Sequence, residues 1–170
     1  RLAGTITHRW LQLIGQGRAR VESGSVAELR PVSRRWLAEM GATEAGMESV
    51  CDRVEAALSG VLADERGRWL LDGPGEAELA LSGFYEGALQ TIIIDRVRID
   101  EHGTHWIVDY KTSSHEGGNL DGFLRNEADR YRQQLRKYGS LYRACYGVEV
   151  RTALYFPLLQ AFREVETAPG

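Results

Sequence analysis

At 170 residues, with 43% hydrophobic residues and charges of both signs that nearly cancel to a net −3, the chain can bury one core and has the composition of an ordinary globular protein. No apolar run approaches the ~20 residues of a membrane helix, no secretory leader pattern opens it, and its charge is not that of a chain held to nucleic acid by bulk attraction alone. Cys51 and Cys145 lack metal-ligand spacing and read as buried free thiols, so the expected location is cytoplasmic, away from membranes.

The elements follow in chain order. Thr5 or Thr7 caps a first helix that runs to about Arg20, with Ile6, Trp10, Leu13 and Ile14 as its apolar stripe. A second helix is expected over residues 26–40, disturbed by Pro31. A third covers 43–63, with Met47, Val50, Val54, Leu58 and Val61 at three- and four-residue steps. Trp69-Leu70-Leu71 fits either helix or strand, and Asp72-Gly73-Pro74-Gly75 is a turn. Glu76 to Ser82 alternates as a strand and leads into two long hairpin strands. A polar loop over 113–122 precedes a long helix over 121–146, then a strand from Val150 to Phe156 and a short one from Ala161 to Val165. Helices, three strands, a helix and one or two further strands predict an α/β sandwich around a mixed sheet, in one domain spanning 1–170.

The chemistry concentrates in Ile94-Asp95-Arg96-Val97 and Val108-Asp109-Tyr110-Lys111-Thr112. If the intervening hairpin is centred on His102, Asp95 lies opposite Asp109, and Lys111, two residues on, points to the same face. Like charges placed opposite each other destabilise a sheet, and both close apolar runs, Ile92-Ile93-Ile94 and Trp106-Ile107-Val108, where unpaired charge is costly. A divalent cation between them removes both penalties and suits attack of water on a phosphodiester. Arg125, Arg130, Arg132, Arg136, Lys137 and Arg143 make the long helix basic, whereas Glu44, Glu48, Asp52, Glu55, Asp64 and Glu65 make an earlier segment acidic. Such faces are most often simply solvated, so this supports a polyanion partner only weakly.

These two segments resemble the IDR(V/L)…(V)DYKT signature of the PD-(D/E)xK nuclease superfamily, and within it the RecB-like and AddA-like nuclease domains that end bacterial helicase–nucleases. Gln134-Leu135-Arg136-Lys137-Tyr138 resembles that family's QxxxY helix, and Gly4-Thr5-Ile6-Thr7-His8 resembles the G-T-x-x-H opening of its first helix. The motifs stand in family order from Gly4 to about Phe156. The resemblance implies a restriction-endonuclease-like αβββαβ core with extra N-terminal helices. It also implies a metal-dependent deoxyribonuclease, an exodeoxyribonuclease acting with a DNA helicase in double-strand-break repair and recombination.

It assigns roles residue by residue. Asp95 and Asp109, with His8 and the backbone carbonyl of Tyr110, would hold Mg²⁺ or Mn²⁺, and Lys111 would position the attacking water and stabilise the transition state. The glutamate of the preceding strand falls on Glu78 or Glu76, which share a face by parity; Glu78 is preferred because Leu79-Ala80-Leu81 continues the strand, and Glu86 is a weaker option. Gln134 and Tyr138, one helical turn apart, would join the catalytic group and, with Arg130, Arg136 and Lys137, touch DNA, expected to be single-stranded. His102, His105 and His115 have no such assignment. Some relatives carry an iron–sulfur cluster on four cysteines, which two cysteines cannot hold. No GxxxxGK[ST] loop is present, so the helicase motor is expected on the rest of a longer chain or on a partner subunit, and Arg1 in place of Met fits an excised C-terminal piece. One position departs from the pattern: Ile92 stands where the family usually has a small residue three before the first aspartate. Two other readings remain open, a restriction-type endonuclease and a catalytically inactive module that binds DNA or a partner subunit. Retention of Asp95, Asp109, Lys111, Gln134 and Tyr138 together favours the enzyme.

Overall fold

Trp106-Ile107-Val108 is apolar throughout because it forms the middle of the sheet. In the computed structural model, which describes residues 1–167, five strands lie in the order β1 (Gly75–Tyr85), β2 (Ala88–Ile99), β3 (His105–Tyr110), β4 (Val150–Phe156) and β5 (Ala161–Glu164). The last three residues of the expected domain lie outside those described. Strands β1 to β3 are antiparallel neighbours, β3 and β4 are parallel, and β4 and β5 are antiparallel. The parallel pair needs a crossover, and the long helix Leu120–Tyr146 provides it. Four helices precede the sheet: α1 (Leu2–Gly15), α2 (Arg30–Glu39), α3 (Glu44–Ala63) and α4 (Glu65–Asp72); the crossover is α5.

Side chains alternate across the two middle strands. Trp106, Val108, Tyr110, Ala153 and Tyr155 pack on the N-terminal helices, while Ile107 packs with Leu141 and Tyr142 of α5, and Leu154 and Phe156 with its Leu124, Ala128 and Leu135. Both faces of β3 are therefore buried, which a continuous apolar run permits and an alternating one does not. The architecture is the expected α/β sandwich with N-terminal helices.

Several local details differ from the sequence reading, each for an identifiable reason. The expected helix over 26–40 is a 3-10 segment, Ser23–Leu29, followed by α2, with Pro31 in the first turn of α2, where its missing N–H costs nothing. Trp69-Leu70-Leu71 is helical: Asp64 caps α4 by accepting the Gly67 N–H at 3.0 Å, and the Tyr155 hydroxyl also donates to Asp64 at 2.8 Å. The first helix ends at Gly15, short of Arg20. β1 continues past Ser82 to Tyr85, where Glu86 and Gly87, at φ 49° and 79°, make the two-residue turn of type I′ that suits a twisted hairpin. Of the two thiols only Cys51 is buried; Cys145 is exposed on the last turn of α5, against the expectation for both.

Candidate active site

The β2–β3 ladder has the expected register, with Arg96 opposite Val108, Val97 opposite Ile107 and Ile99 opposite His105. It stops one step before Asp95 would meet Asp109. There Asp95 turns its carboxylate onto the backbone of β3, where Oδ2 accepts the Tyr110 N–H at 2.8 Å. The reason lies in the neighbouring pair. Ala77 and Arg96 face α1, yet Leu79 and Ile94, two residues along each strand, pack under α5. Both strands therefore exchange faces between these positions, at Glu78 and Asp95, the one step missing from the β1–β2 ladder. Glu78 absorbs the change with φ +53°, a region that costs a non-glycine residue about 1–3 kcal/mol and recurs at functional sites.

This break brings Glu78 and Asp95 to α1. One ligand atom each from His8, Glu78 and Asp95 lie within 4.8 Å of one another, and His8 Nδ1 is 3.6 Å from Asp95 Oδ1. Glu76, which strand parity could not separate from Glu78, is exposed opposite Val97, outside this group; Glu86 is at the hairpin tip. Helix α1 can approach because residue 4 is glycine: a Cβ there would sit 2.9 Å from Thr112 Oγ1, just beyond the end of β3. Asp109 and Lys111 lie on the α5 side, with Lys111 Nζ 2.7 Å from Asp109 Oδ2 and 3.7 Å from the centre of the Tyr131 ring. On the same face of α5, Gln134 donates from Nε2 to Tyr138 Oη at 3.0 Å. Gln134 also lines a cavity of about 500 Å³ with Tyr85, Gln90, Arg136 and Lys137, between α5 and the hairpin tip. Arg130 is exposed, 3.8 Å from Glu127.

The charges are strained in a consistent way. Burial and the Asp95 charge push the Asp109 carboxyl up to about 6, against the opposing pull of Lys111 and His8. Burial, then Asp95, raises Glu78 above its ordinary value, with His8 opposing. Burial would lower His8, but Asp95, Asp109 and Glu78 outweigh it and hold the imidazole above its usual range. Asp109 Oδ2 is buried and lacks an aligned hydrogen-bond donor despite its closeness to Lys111. The carboxylates of Glu78 and Asp95 beside the His8 imidazole fit a hard divalent cation, whose charge would reverse each of these shifts.

Two residues were passed over in the sequence. Tyr131 precedes Gln134 by three and Tyr138 by seven and so shares their helix face. Arg96 stands inside the aspartate motif. The residue is 1% exposed, and its guanidinium donates to the carbonyls of Gly15 at 3.3 Å, Leu70 at 2.7 Å and Gly73 at 2.7 Å, the C-terminal ends of α1 and α4. A cation within an otherwise apolar strand was the available signal. Ile92, the departure from the expected small residue, is 4% exposed and packs beneath α5, so it does not obstruct the carboxylates.

A sequence model of the PD-(D/E)XK nuclease superfamily matches residues 1–168. No curated protein matches by sequence. Among solved structures, the fold is similar to that of a "Putative exonuclease" from Eubacterium rectale, with a TM-score of 0.56 at 17% identity over 89% of this chain. The match spans 62% of that protein's length.

Proposed function

Because the chain belongs to the PD-(D/E)XK nuclease superfamily, we propose that it hydrolyses DNA phosphodiester bonds with a divalent cation held by His8, Glu78, Asp95 and Asp109, together with the carbonyl of Tyr110. The observation that carries this reading is the meeting of His8, Glu78 and Asp95 where β1 and β2 exchange faces, with Asp109 and Lys111 paired at the end of the neighbouring strand. When bound, Mg²⁺ or Mn²⁺ supplies charge neutralisation on the phosphate and acidification of water. The protein's own groups do the positioning. Lys111, held between Asp109 and the Tyr131 ring, presents its ammonium to the attacking water and to the charge that accumulates on phosphate oxygens in the transition state. The Gln134–Tyr138 pair, on the α5 face that carries Tyr131, orients the substrate, while Arg130, Arg136 and Lys137 on α5 draw its phosphates.

The finer reading is an exodeoxyribonuclease of the RecB/AddA kind. It would act in the cytoplasm on single strands delivered by a helicase motor during double-strand-break repair and recombination. The order of the four motifs supports it, and the motor would lie elsewhere in a longer chain or on a partner subunit. Incubation of labelled single-stranded DNA with Mg²⁺ or Mn²⁺ tests the activity. Metal-dependent cleavage is expected, reduced on the order of 100-fold or more by both Asp109→Ala and Lys111→Ala. Absence of both cleavage and Asp109-dependent Mn²⁺ binding would leave a catalytically inactive binding module instead.

A further inference from the structure

Beyond the crossing at Glu78 and Asp95, the β1–β2 hairpin is covered on one face only. Leu79, Leu81, Tyr85, Ile92 and Ile94 pack on α5. The other face consists of three cross-strand pairs, Ala80 with Ile93, Ser82 with Thr91 and Phe84 with Leu89. Among the described residues nothing covers it: Phe84 is 77% exposed, Leu89 67% and Ile93 52%. The Ser82 and Thr91 hydroxyls, 2.9 Å apart, tie the middle pair. Three large apolar side chains bare on one side of a ribbon form a patch, unlike scattered surface residues.

The patch continues directly into the active site. Moving by twos along β1 from Phe84 through Ser82 and Ala80 reaches Glu78, and along β2 from Leu89 through Thr91 and Ile93 reaches Asp95. The bare face and the two carboxylates are one surface, about 20 Å long at the rise of a strand. At its inner end Gly4, Thr5, His8, Arg9 and Gln12 of α1 enclose with Glu78 a cavity of about 460 Å³.

We infer that this face is the track on which an unpaired nucleic-acid strand lies as it enters the active site, an inference that rests on the nuclease reading above. The occupant must satisfy both ends. The inner end calls for an anionic group that can approach a cation held by Glu78 and Asp95; the outer end calls for flat apolar faces. Unpaired nucleotides carry both, because their bases are free to stack and their phosphates lie along the backbone. Phe84 supplies a ring, Leu89 and Ile93 supply apolar platforms, and Thr5, Gln12 and Arg9 supply donors for phosphate or sugar. A duplex hides its base faces and gains nothing from the ledge, so the track favours single strands.

The experiment uses Phe84→Trp as a reporter, at a position too exposed to disturb folding, with Phe84→Ala and Leu89→Thr as loss variants. Oligothymidine titrated in EDTA is expected to quench the added indole. Phe84→Ala is expected to raise KM for single-stranded DNA about tenfold, while a duplex end is affected less than twofold. Wild-type cleavage with KM for the loss variants within twofold of wild type would overturn the track and leave the nuclease standing. Quenching without either metal-dependent cleavage or Asp109-dependent Mn²⁺ binding would support the track and remove the nuclease reading. Unchanged DNA binding, together with loss in Phe84→Ala of a self-association seen by sedimentation, would make the face a contact between copies of the chain and overturn the inference.

Discussion

Asp109 is 7% exposed, and burial together with Asp95 pushes its carboxyl up to about 6. An unfolded aspartate titrates near 3.9. Between those values the folded, metal-free chain keeps a proton that the unfolded chain has lost, so this group favours folding at low pH. That contribution is lost as pH rises through about 6. Asp109→Asn stays neutral throughout. It is therefore expected to stabilise the protein in EDTA at pH 7 by about 1–3 kcal/mol and by little at pH 4, although it removes cleavage; urea unfolding at the two pH values checks this. Lys111 offers a second test. Its ammonium uses the face of Tyr131 rather than the hydroxyl, at 3.7 Å from the ring centre. Tyr131→Phe should keep cleavage within about twofold, while Tyr131→Leu should lower kcat by about 3- to 30-fold with Mn²⁺ affinity unchanged. Equal losses in the two variants would show that the ring face is not what matters.

At the level of elements, the site depends on holding α1, which carries His8, against β2, which carries Asp95. Arg96 makes that connection from inside the sheet, donating to carbonyls at the ends of both α1 and α4. Those carbonyls have no helical partners, and a cation at a helix C-terminus also meets the favourable end of the dipole. Burial lowers the affinity of Arg96 for its proton, the penalty that the three hydrogen bonds offset. Lysine cannot reproduce the fork that reaches three acceptors. Arg96→Lys is thus expected to cost about 2–4 kcal/mol, seen as a Tm lower by roughly 5–15 °C, with weaker Mn²⁺ binding as α1 loosens. A Tm within 2 °C of wild type would refute this account.

Over the whole molecule, the net charge of −3 conceals a division. The acidic face of α3 is met by α2: Arg30 pairs with Glu48, Asp52 and Glu55, and Arg34 pairs with Glu44 and Glu48. That face is a helix–helix ion-pair contact. On α5, Arg125 and Arg132 are engaged by Asp121 and Asp129, whereas Arg136 and Lys137 line the cavity beside Gln134. Local charge can therefore recruit a polyanion despite the overall sign. Replacing both Arg136 and Lys137 by alanine should weaken single-strand binding at every sequence. It should also flatten the dependence of log K on log salt by about 0.7 for each phosphate that is no longer neutralised. An unchanged slope would place the phosphate backbone elsewhere.

Much of this was legible in the linear chain because it rests on local periodicity. The three- and four-residue steps of α3, the apolar centre of β3 and the hairpin register about His102 are patterns that neighbouring residues impose on one another. Membership of a nuclease superfamily was likewise carried by short motifs whose spacing survives in sequence. The placement of Glu78 was not legible in this way. Regular alternation puts Glu76 and Glu78 on one face, and the exchange of faces at Glu78 and Asp95 separates them. That exchange arises because β1 and β2 must lie against α1 at one end and under α5 at the other, a demand made by elements tens of residues away. The grip of Arg96 on two helix ends and the seat of Lys111 on Tyr131 belong to the same class. Local patterning specifies which residues are buried, but the direction in which a charged side chain leaves a broken strand depends on what packs there, and only tertiary contacts supply that.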